Sequence, residues 1–450
     1  MAKKRRRQES IAPPARAGIG AVVAAAVLSA VLAGTALVVD TEAGAAFDAP
    51  KRLIALVGTA LAAAAALAFF RRGDGPAARP WIAGPASRRM ALGLAAAALL
   101  LAFLAALASP RRALSLDAMR ALALYALLLP LGASRAIEKG KAWLTGTFLA
   151  VTAVNAVVSI LESRGLFHPF PLETFGDRQE TGAYAGNVGY LAITLAFGAV
   201  LALGILLTSR RAGVRLAAGG ALGLFALTLL VNRNLTALTS TLAGAGVLLV
   251  VLYGRRAALP IAAAVLAAVI GVVGYAPLRD RAGEAVNAVR HGNWDALVSF
   301  RGGAWAAALE MVRERPLAGF GPGTFAAEYV PHRLAAEIRL RRQFVAPLLT
   351  SSYAESHCDY LQVFSDAGVP AGLAVLGAVG CLLAAAGTAA LRRKTPETVI
   401  LLAVLAAGAT AALTWFPLQR PVTAVPILLV AGRAWRVSAS DASRDTEDAP

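Results

Sequence analysis

Charged residues are scarce in this chain of 450 residues: Asp, Glu, Lys and Arg together make up 16% of it, where soluble globular proteins carry about 25%. Its two cysteines, Cys358 and Cys381, are too few for a disulfide framework or a cysteine-rich metal cluster. No P-loop, no Gly-x-Ser-x-Gly elbow and no metal-ligand spacing of Asp, Glu and His occurs. The sequence therefore predicts no cofactor and no bound metal.

Apolar sequence is abundant instead, with 58% hydrophobic residues and a mean hydropathy of +0.64. Ala, Leu and Val form continuous runs of about 20 residues, the length at which a helix crosses about 30 Å of hydrocarbon. Because the runs are continuous and not alternating, they favour helices over a closed barrel. We predict an all-α integral membrane fold of about twelve spans: 17–39, 52–70, 90–108, 118–134, 142–161, 187–208, 216–232, 235–253, 257–275, 368–390, 398–415 and 421–434.

The net charge of +18 suggests nucleic-acid binding, but the positions of the basic residues argue against it. Lys and Arg lie in short clusters between the apolar runs, as the positive-inside rule distributes them. The loops on the other side are poorer in base, and the first contains Asp40, Glu42 and Asp48. We therefore predict a multi-pass protein that contacts membrane lipids and no nucleic acid, with both termini cytoplasmic.

This orientation divides the chain into five parts. They are a basic cytoplasmic N-terminus (1–16), nine spans (17–275), a large extracytoplasmic loop (276–367), three spans (368–434) and a polar cytoplasmic tail (435–450). The first apolar run is longer than the core of a cleavable signal peptide, so we expect it to remain as a span.

The large loop is predicted to be mostly helical. An apolar stripe from Ala304 to Val312 has helical spacing and ends before Pro316, and a glycine-rich turn follows at 319–323. A second helix is predicted from about Tyr353 to Phe364, and Gly368 separates it from the next span.

His357 is the histidine with the most polar surroundings, since it lies among Glu355, Asp359 and Tyr360 immediately outside a predicted span. A histidine titrates near neutral pH and can take a proton from a hydroxyl nucleophile. The alternative is a surface histidine that orients the loop, and the spacing alone does not distinguish the two.

Two arginines break the positive-inside pattern. Arg178 lies in the first long outer segment, and Arg233 lies between two asparagines at the outer tip of two tightly connected spans. Charges at membrane depth often mark a functional site, and the guanidinium group matches phosphate oxygens. Snorkelling to lipid headgroups is the alternative for either arginine. Glu162 ends the fifth predicted span near the same surface, whereas Asp117 and Arg120 fit a structural i,i+3 pair.

Two blocks in the large loop resemble the O-antigen ligase and polymerase family. The first runs from Arg301-Gly302-Gly303-Ala304-Trp305 to a Pro-Leu-x-Gly-x-Gly-x-x-x-Phe turn at 316–325; the second is His357-Cys358-Asp359-Tyr360-Leu361-Gln362, followed by Asp366-Ala367-Gly368. Weaker matches are Arg178 through Gly186-Asn187, and Asn232-Arg233-Asn234. The chain departs from the family pattern at Cys358, Asp366, Asn232 and Asn234, which stand where Asn, Glu, Ser and Gly are usual.

The resemblance implies a GT-C-like membrane enzyme. It would transfer a glycan from a polyprenyl-diphosphate donor to a hydroxyl of a glycan, lipid or protein acceptor, at the outer face of the bacterial inner membrane. His357 would accept or orient the acceptor proton, while Arg178 and Arg233 would hold the diphosphate. Asp359, Glu355 and Glu162 are candidate supporting residues, and the arginines could replace a metal.

Other functions remain open beside this ligase-like activity. A polymerase of O-antigen or exopolysaccharide would share the same residues. A non-enzymatic transporter or flippase of lipid-linked oligosaccharide should place charges near the middle of the bilayer and have two related halves, and neither feature is visible. In a structural envelope protein, the histidine and both arginines would be dispensable.

Overall fold

The structure is a computed structural model that describes residues 19–43, 45–68, 85–170, 181–292, 299–344 and 353–439. Within these ranges the chain forms helices and no strand, so the predicted all-α membrane fold class is confirmed. Ten helical segments are long and apolar enough to cross a membrane. Eleven of the twelve predicted spans each coincide with one helix, and 118–134 falls on two consecutive helices, Arg112–Ala126 and Leu128–Gly132. The two spans outside this set of ten, 257–275 and 421–434, correspond to helices of 17 residues.

The described residues form sixteen α-helices. In chain order they are α1 (Ile19–Leu37), α2 (Ala49–Ala68), α3 (Ala86–Ala108), α4 (Arg112–Ala126), α5 (Leu128–Gly132), α6 (Arg135–Ser163), α7 (Val188–Thr208), α8 (Ala212–Asn232), α9 (Leu235–Tyr253), α10 (Ala258–Gly274), α11 (Ala276–Arg290), α12 (Gly302–Glu314), α13 (Phe325–Leu340), α14 (Asp359–Arg393), α15 (Pro396–Thr414) and α16 (Pro421–Val437). Short 3₁₀ turns occur at Ala183–Ala185 and Gly254–Ala257.

Helix α7 is the centre of the bundle, with most of its residues buried against α8, α9 and α15. Small residues allow this close approach. A Cβ on Gly198 would lie 3.0 Å from the ring of Phe225, and one on Gly244 would lie 2.8 Å from the carbonyl oxygen of Ala403. Because lipid tails are as apolar as the helices, such close backbone packing is a main source of stability between membrane helices.

The bundle has two ends with different contents. We define the loop face as the end where α6, α8 and α15 finish, where α2, α7, α9, α14 and α16 begin, and where the large loop packs. The opposite face holds ion pairs, in which Glu397 bonds Lys141 at 2.9 Å and Arg433 at 2.6 Å. The predicted Asp117–Arg120 pair is confirmed, with an exposed N···O separation of 3.4 Å.

The large loop contains α12 and α13, which pack against each other over Ala304, Ala308, Met311 and Tyr329. Helix α12 ends two residues before Pro316, as predicted, although Leu309 of the predicted stripe is 47% exposed. The glycine-rich turn also forms as predicted, because Gly319, Gly321 and Gly323 all have positive φ.

The predicted helix from Tyr353 to Phe364 is wrong in its first half, since α14 begins only at Asp359. Side chains bond the backbone there and compete with a helix. The Cys358 sulfur accepts from the Leu361 amide at 3.5 Å, and Gln362 Oε1 accepts from the Ser356 amide at 2.7 Å. His357 therefore lies in an irregular turn, with a φ of 58°.

The glycine-rich turn is bound directly to α14. The amides of Phe320 and Gly321 donate to the carbonyls of Ser365 and Asp366 at 3.1 and 2.7 Å, and the Val369 amide donates to Pro316 at 2.7 Å. The two sequence blocks of the large loop thus form one backbone-bonded unit, which we call the clasp (residues 316–323 with 365–369).

Replacing Gly368 by alanine should destabilise the clasp. Gly368 has φ 83° and ψ 171°, a region open essentially to glycine, and a Cβ there would overlap with the carbonyl of Leu317. The strained backbone alone costs about 1–3 kcal/mol. Thermal unfolding of the purified protein in detergent should show a melting temperature lower by several degrees. Gly380→Ala on the same helix is the matched control, because its Cβ meets open space; equal melting temperatures for the two variants would contradict the clasp.

Candidate functional site

His357 occupies the loop face, in the turn that precedes α14. Its Nδ1 lies 3.0 Å from the main-chain oxygen of Glu355. A carbonyl oxygen only accepts, so Nδ1 carries the hydrogen and Nε2 keeps the lone pair. The turn therefore presents an imidazole whose Nε2 can accept a proton.

Aromatic rings enclose this histidine. Tyr353, Trp415 and Phe416 lie edge-to-face with the imidazole, at centroid separations of 5.0, 5.5 and 4.8 Å. Trp415 and Phe416 also stack on each other at 4.8 Å. A ring held on several sides keeps one orientation, and its apolar neighbours exclude water from it.

The pKa of His357 is lowered from its ordinary value to about 4. Burial is the largest cause, because it penalises the charged imidazolium, and the positive charges of Arg301 and Arg420 add to it. His357 is therefore neutral at physiological pH and is available as a proton acceptor.

Arg301 also lies at this site, although in the sequence it was identified only as the first residue of a family motif. It directly precedes α12; its Nη1 donates to the Thr414 carbonyl at 2.7 Å, and its guanidinium lies 4.8 Å from the centre of the Trp415 ring. Arg301 thus joins the first helix of the large loop to the segment that packs on His357. An arginine directly before the Gly-Gly-Ala-Trp sequence was the available signal.

Arg420, which the sequence reasoning missed entirely, organises the other side of the histidine. Its guanidinium bonds Asp48 at 2.9 Å and also pairs with the Glu355 carboxylate. It lies 5.5 Å from the centre of the Phe416 ring, which itself contacts His357. Glu355 therefore reaches His357 through its main-chain oxygen, while its carboxylate pairs with Arg420.

Asp359 and Glu162 both bond main-chain amides. Asp359 Oδ2 accepts from the Leu418 amide at 2.9 Å, and the Asp359 amide donates to Trp415 at 3.2 Å. Glu162, at the end of α6, accepts from the Ala183 amide at 2.9 Å. Within the described residues, these bonds direct both carboxylates to main-chain amides and not to His357. Both residues hold segments of the site in place.

Arg233 caps the end of α8 in a left-handed conformation, with a φ of 51°, and is half-buried. The next residue, Asn234, caps α9 by accepting from the Ala237 amide at 3.0 Å. In the first turn of α9, the Thr236 hydroxyl lies 2.9 Å from that of Thr414, which immediately precedes Trp415. The Arg233 turn is thereby joined to the segment that contacts His357.

Arg178 lies outside the described residues, as do 1–16 and 440–450, but the chain that follows Arg178 is placed. The Ser159 hydroxyl is 2.7 Å from the Thr181 carbonyl oxygen and 3.2 Å from Asn232 Oδ1. Ser159 therefore bridges a residue three positions after Arg178 to the residue directly before Arg233. The described chain from Thr181 onward therefore meets the Arg233 turn near the end of α6.

The remaining histidines do not join this site. His332 is buried in the large loop, where it bonds Glu314 at 3.1 Å and the Glu328 carbonyl at 2.6 Å. His168 and His291 are exposed. In the part of the chain that the structure describes, no group of three His, Cys, Asp or Glu side chains could hold a metal ion.

Fold and site together define a multi-pass α-helical membrane protein whose polar groups gather around a neutral histidine at one end of the bundle. A family model described as O-antigen ligase matches residues 196–376, which include the Arg233 turn, the large loop and His357. The resemblance to the O-antigen ligase and polymerase family is thereby confirmed. A search of curated proteins gave no match. Members of the family are glycosyltransferase-like membrane enzymes, ligases and polymerases, and lipid-linked glycans are the implied substrate class.

Proposed function

We propose that this protein is an O-antigen ligase-like glycosyltransferase of the bacterial inner membrane. It transfers a glycan from a polyprenyl-diphosphate donor to an acceptor hydroxyl at the outer face, with both termini cytoplasmic. The observation that carries the proposal is the orientation of His357, whose Nδ1 bonds the Glu355 carbonyl and leaves Nε2 as a neutral base. The Arg233 turn and the chain following Arg178 lie on the same face of the bundle.

In the proposed reaction, an acceptor hydroxyl attacks the anomeric carbon of the donor glycan. A new C–O bond forms, and the bond from that carbon to the diphosphate oxygen breaks with its electron pair. The hydroxyl proton passes to Nε2 of His357, and polyprenyl diphosphate leaves as an anion. Because the pKa of His357 is about 4, the imidazolium is more acidic than that of an ordinary histidine and returns the proton to the departing diphosphate or to water.

The arginines have a separate role in this mechanism. A diphosphate gains negative charge as it leaves, and guanidinium groups fixed near its oxygens stabilise that charge. Arg178 and Arg233 fill this role in the proposal. Arg301 lies on the histidine side, where burial keeps the imidazole neutral and the charge of Arg301 adds to this effect. The proposed mechanism uses no metal and no cofactor.

The pH dependence of kcat/KM should reveal the lowered pKa, because this parameter reports ionisations of the free enzyme. With a pKa of about 4, His357 stays neutral down to about pH 5, so kcat/KM should be flat above that pH and fall below pH 4. An ordinary histidine would give an acidic limb near pH 6.5.

Arg301→Gln removes a charge that disfavours the imidazolium, so it should move the acidic limb of the kcat/KM profile to higher pH. Arg313→Gln at the far end of α12 is the control; a wild-type limb near pH 6.5 would contradict the proposed histidine environment.

A cellular assay tests the function itself. A deletion strain that carries wild-type protein should place glycan on the acceptor, whereas an inactive variant should accumulate lipid-linked glycan on the outer leaflet. Accumulation on the inner leaflet would indicate a flippase instead. Accumulation of single repeat units, with transfer to the acceptor intact, would indicate the alternative polymerase.

A reporter fused at residue 330 should be extracytoplasmic, and a cytoplasmic signal would overturn both the proposed orientation and the proposed mechanism.

A further inference from the structure

The main-chain oxygen of Glu355 decides which nitrogen of His357 can act as a base. Nδ1 of the imidazole lies 3.0 Å from this oxygen and gives its hydrogen to it. Without that acceptor the hydrogen could reside on Nε2 instead, and Nε2 could then no longer take the proton of a hydroxyl. The groups that fix the position of Glu355 therefore control the base.

The side chain of Glu355 is fixed by Arg420. The two form an ion pair in which the Arg420 side chain is 12% exposed and that of Glu355 13%. Burial raises the pKa of the Glu355 carboxyl, and the positive charge of Arg420 opposes this rise. A buried carboxylate that loses its cation must take up a proton or move towards water. Either change would release the residue whose main chain bonds His357.

Arg420 is itself held in one orientation. Its Nη2 donates to Glu355, while its Nη1 donates to Asp48 at 2.9 Å. The rings of Tyr190 and Phe416 lie 5.1 and 5.5 Å from the guanidinium carbon. A planar guanidinium bonded through two nitrogens and flanked by aromatic rings has little freedom to turn. Asp48 thus supports Arg420 from the other side.

These three residues connect parts of the chain that are far apart in sequence. Asp48 directly precedes α2, and Arg420 directly precedes α16. Glu355 lies in the turn before α14. The ion pairs therefore join the starts of three helices at the loop face, and the position of the His357 turn depends on how these helices pack.

We propose that Arg420 is a positioning residue for glycan transfer. It holds the Glu355 main-chain oxygen that keeps the hydrogen on Nδ1 of His357, and Asp48 holds Arg420. This inference rests on the proposed function. The alternative is that Arg420 only ties helices together, while the bond of 2.7 Å between the Ser356 amide and Gln362 Oε1 fixes the turn.

Two measurements on the full-length protein separate these roles. The first is kcat and the donor KM for glycan transfer in liposomes. The second is the ¹⁵N spectrum of the histidine ring nitrogens in detergent, which distinguishes a nitrogen that carries a hydrogen from one with a lone pair. The spectrum of His357→Asn identifies the His357 signals. In wild type, Nδ1 should carry the hydrogen.

Arg420→Gln removes the charge and should lower kcat by about 10- to 100-fold, the range seen when a metal-bound histidine loses its outer hydrogen-bond partner. The donor KM should stay close to the wild-type value, because Arg420 does not contact the donor in this proposal. The spectrum should show the second tautomer of His357. Arg420→Lys keeps the charge and should recover much of kcat.

Glu355→Gln tests the same ion pair from its other side. The substitution leaves the main-chain oxygen in the chain and removes the carboxylate that Arg420 holds. It should also lower kcat and release the second tautomer. The double variant with Arg420→Gln should lose less activity than the product of the two single effects, because both changes break one contact.

Arg433→Gln is the matched control. Arg433 lies near the other end of α16, where its side chain is 9% exposed and bonds Glu397 at 2.6 Å. The substitution removes an equally buried ion pair from the same helix, at the face opposite His357. It should lower the melting temperature about as much as Arg420→Gln does, with normal kcat and one tautomer.

The possible outcomes are distinct. If Arg420→Gln behaves like Arg433→Gln, with normal kcat and a single tautomer, the inference is overturned and the proposed function stands. A raised donor KM with normal kcat would make Arg420 a donor-binding residue and overturn the inference as well. If wild type transfers no glycan, the proposed function fails, and the positioning role fails with it. If Arg420→Gln does not fold, Glu355→Gln decides by the same two measurements.

Discussion

Replacing His357 by asparagine should slow glycan transfer by about 100- to 10,000-fold, the range that general-base catalysis contributes. Asparagine is the informative substitution because His357 has a φ of 58°, and asparagine tolerates this left-handed region better than alanine. The variant should therefore fold, keep the turn before α14 and lose the proton acceptor. Transfer by purified protein in liposomes, with wild-type and variant at equal amounts, measures the effect.

The affinity for donor should distinguish lost chemistry from lost binding. In the proposed mechanism His357 acts on the acceptor proton, so His357→Asn should bind undecaprenyl diphosphate as wild type does. His168→Asn replaces an exposed histidine in the segment after α6 and should transfer glycan at the normal rate. A His357→Asn protein that retains more than a tenth of the wild-type rate would show that the residue only orients the loop. Some activity should remain in any case, because the arginines still stabilise the leaving diphosphate.

Replacing Arg233 by asparagine should lower kcat/KM by about 100- to 1,000-fold, as loss of one fixed donor to a developing anion typically does. Arg233 also has a positive φ, 51°, so asparagine again preserves the backbone while it removes the charge. The kcat/KM of Arg233→Lys should lie between those of wild type and Arg233→Asn. Lysine keeps the charge but cannot form the two parallel bonds of a guanidinium with phosphate.

Matched controls make the Arg233 result specific. Arg215 lies on the same helix, α8, but near the opposite face and is exposed, so Arg215→Asn should change kcat/KM little. If Arg178 and Arg233 bind one diphosphate, their combined replacement should cost less than the product of the single effects, since residues on a shared ligand are not additive. Equal small losses for Arg233→Asn and Arg215→Asn would indicate that Arg233 only snorkels to lipid headgroups.

The membrane class was predictable because it depends on composition and on the length of apolar runs. About 20 consecutive apolar residues leave a backbone in lipid little choice but a helix, and every predicted span is helical, although 118–134 is divided between α4 and α5. The span 421–434 shows the limit of this signal, because α16 continues through Trp435 and Arg436 to Val437, beyond the predicted end.

Local helix boundaries in the large loop were less predictable. Apolar spacing favoured a helix from Tyr353, but side chains of Cys358 and Gln362 bond nearby amides and start α14 only at Asp359. The positive φ of His357 follows from this turn. A cysteine in the capping position gives little sequence signal, since serine, threonine, aspartate and asparagine are the usual caps.

The sequence by itself determined that this protein crosses the membrane many times, and that His357 and Arg233 stand outside apolar runs, because those features depend on residues adjacent in the chain. Only the tertiary structure decided what surrounds His357. Arg301 precedes it in the large loop, Arg420 follows it beyond α15, and Asp48, which bonds Arg420, directly precedes α2. The lowered pKa of His357 arises from burial and from charges brought together across the bundle, and it is not defined until the helices pack.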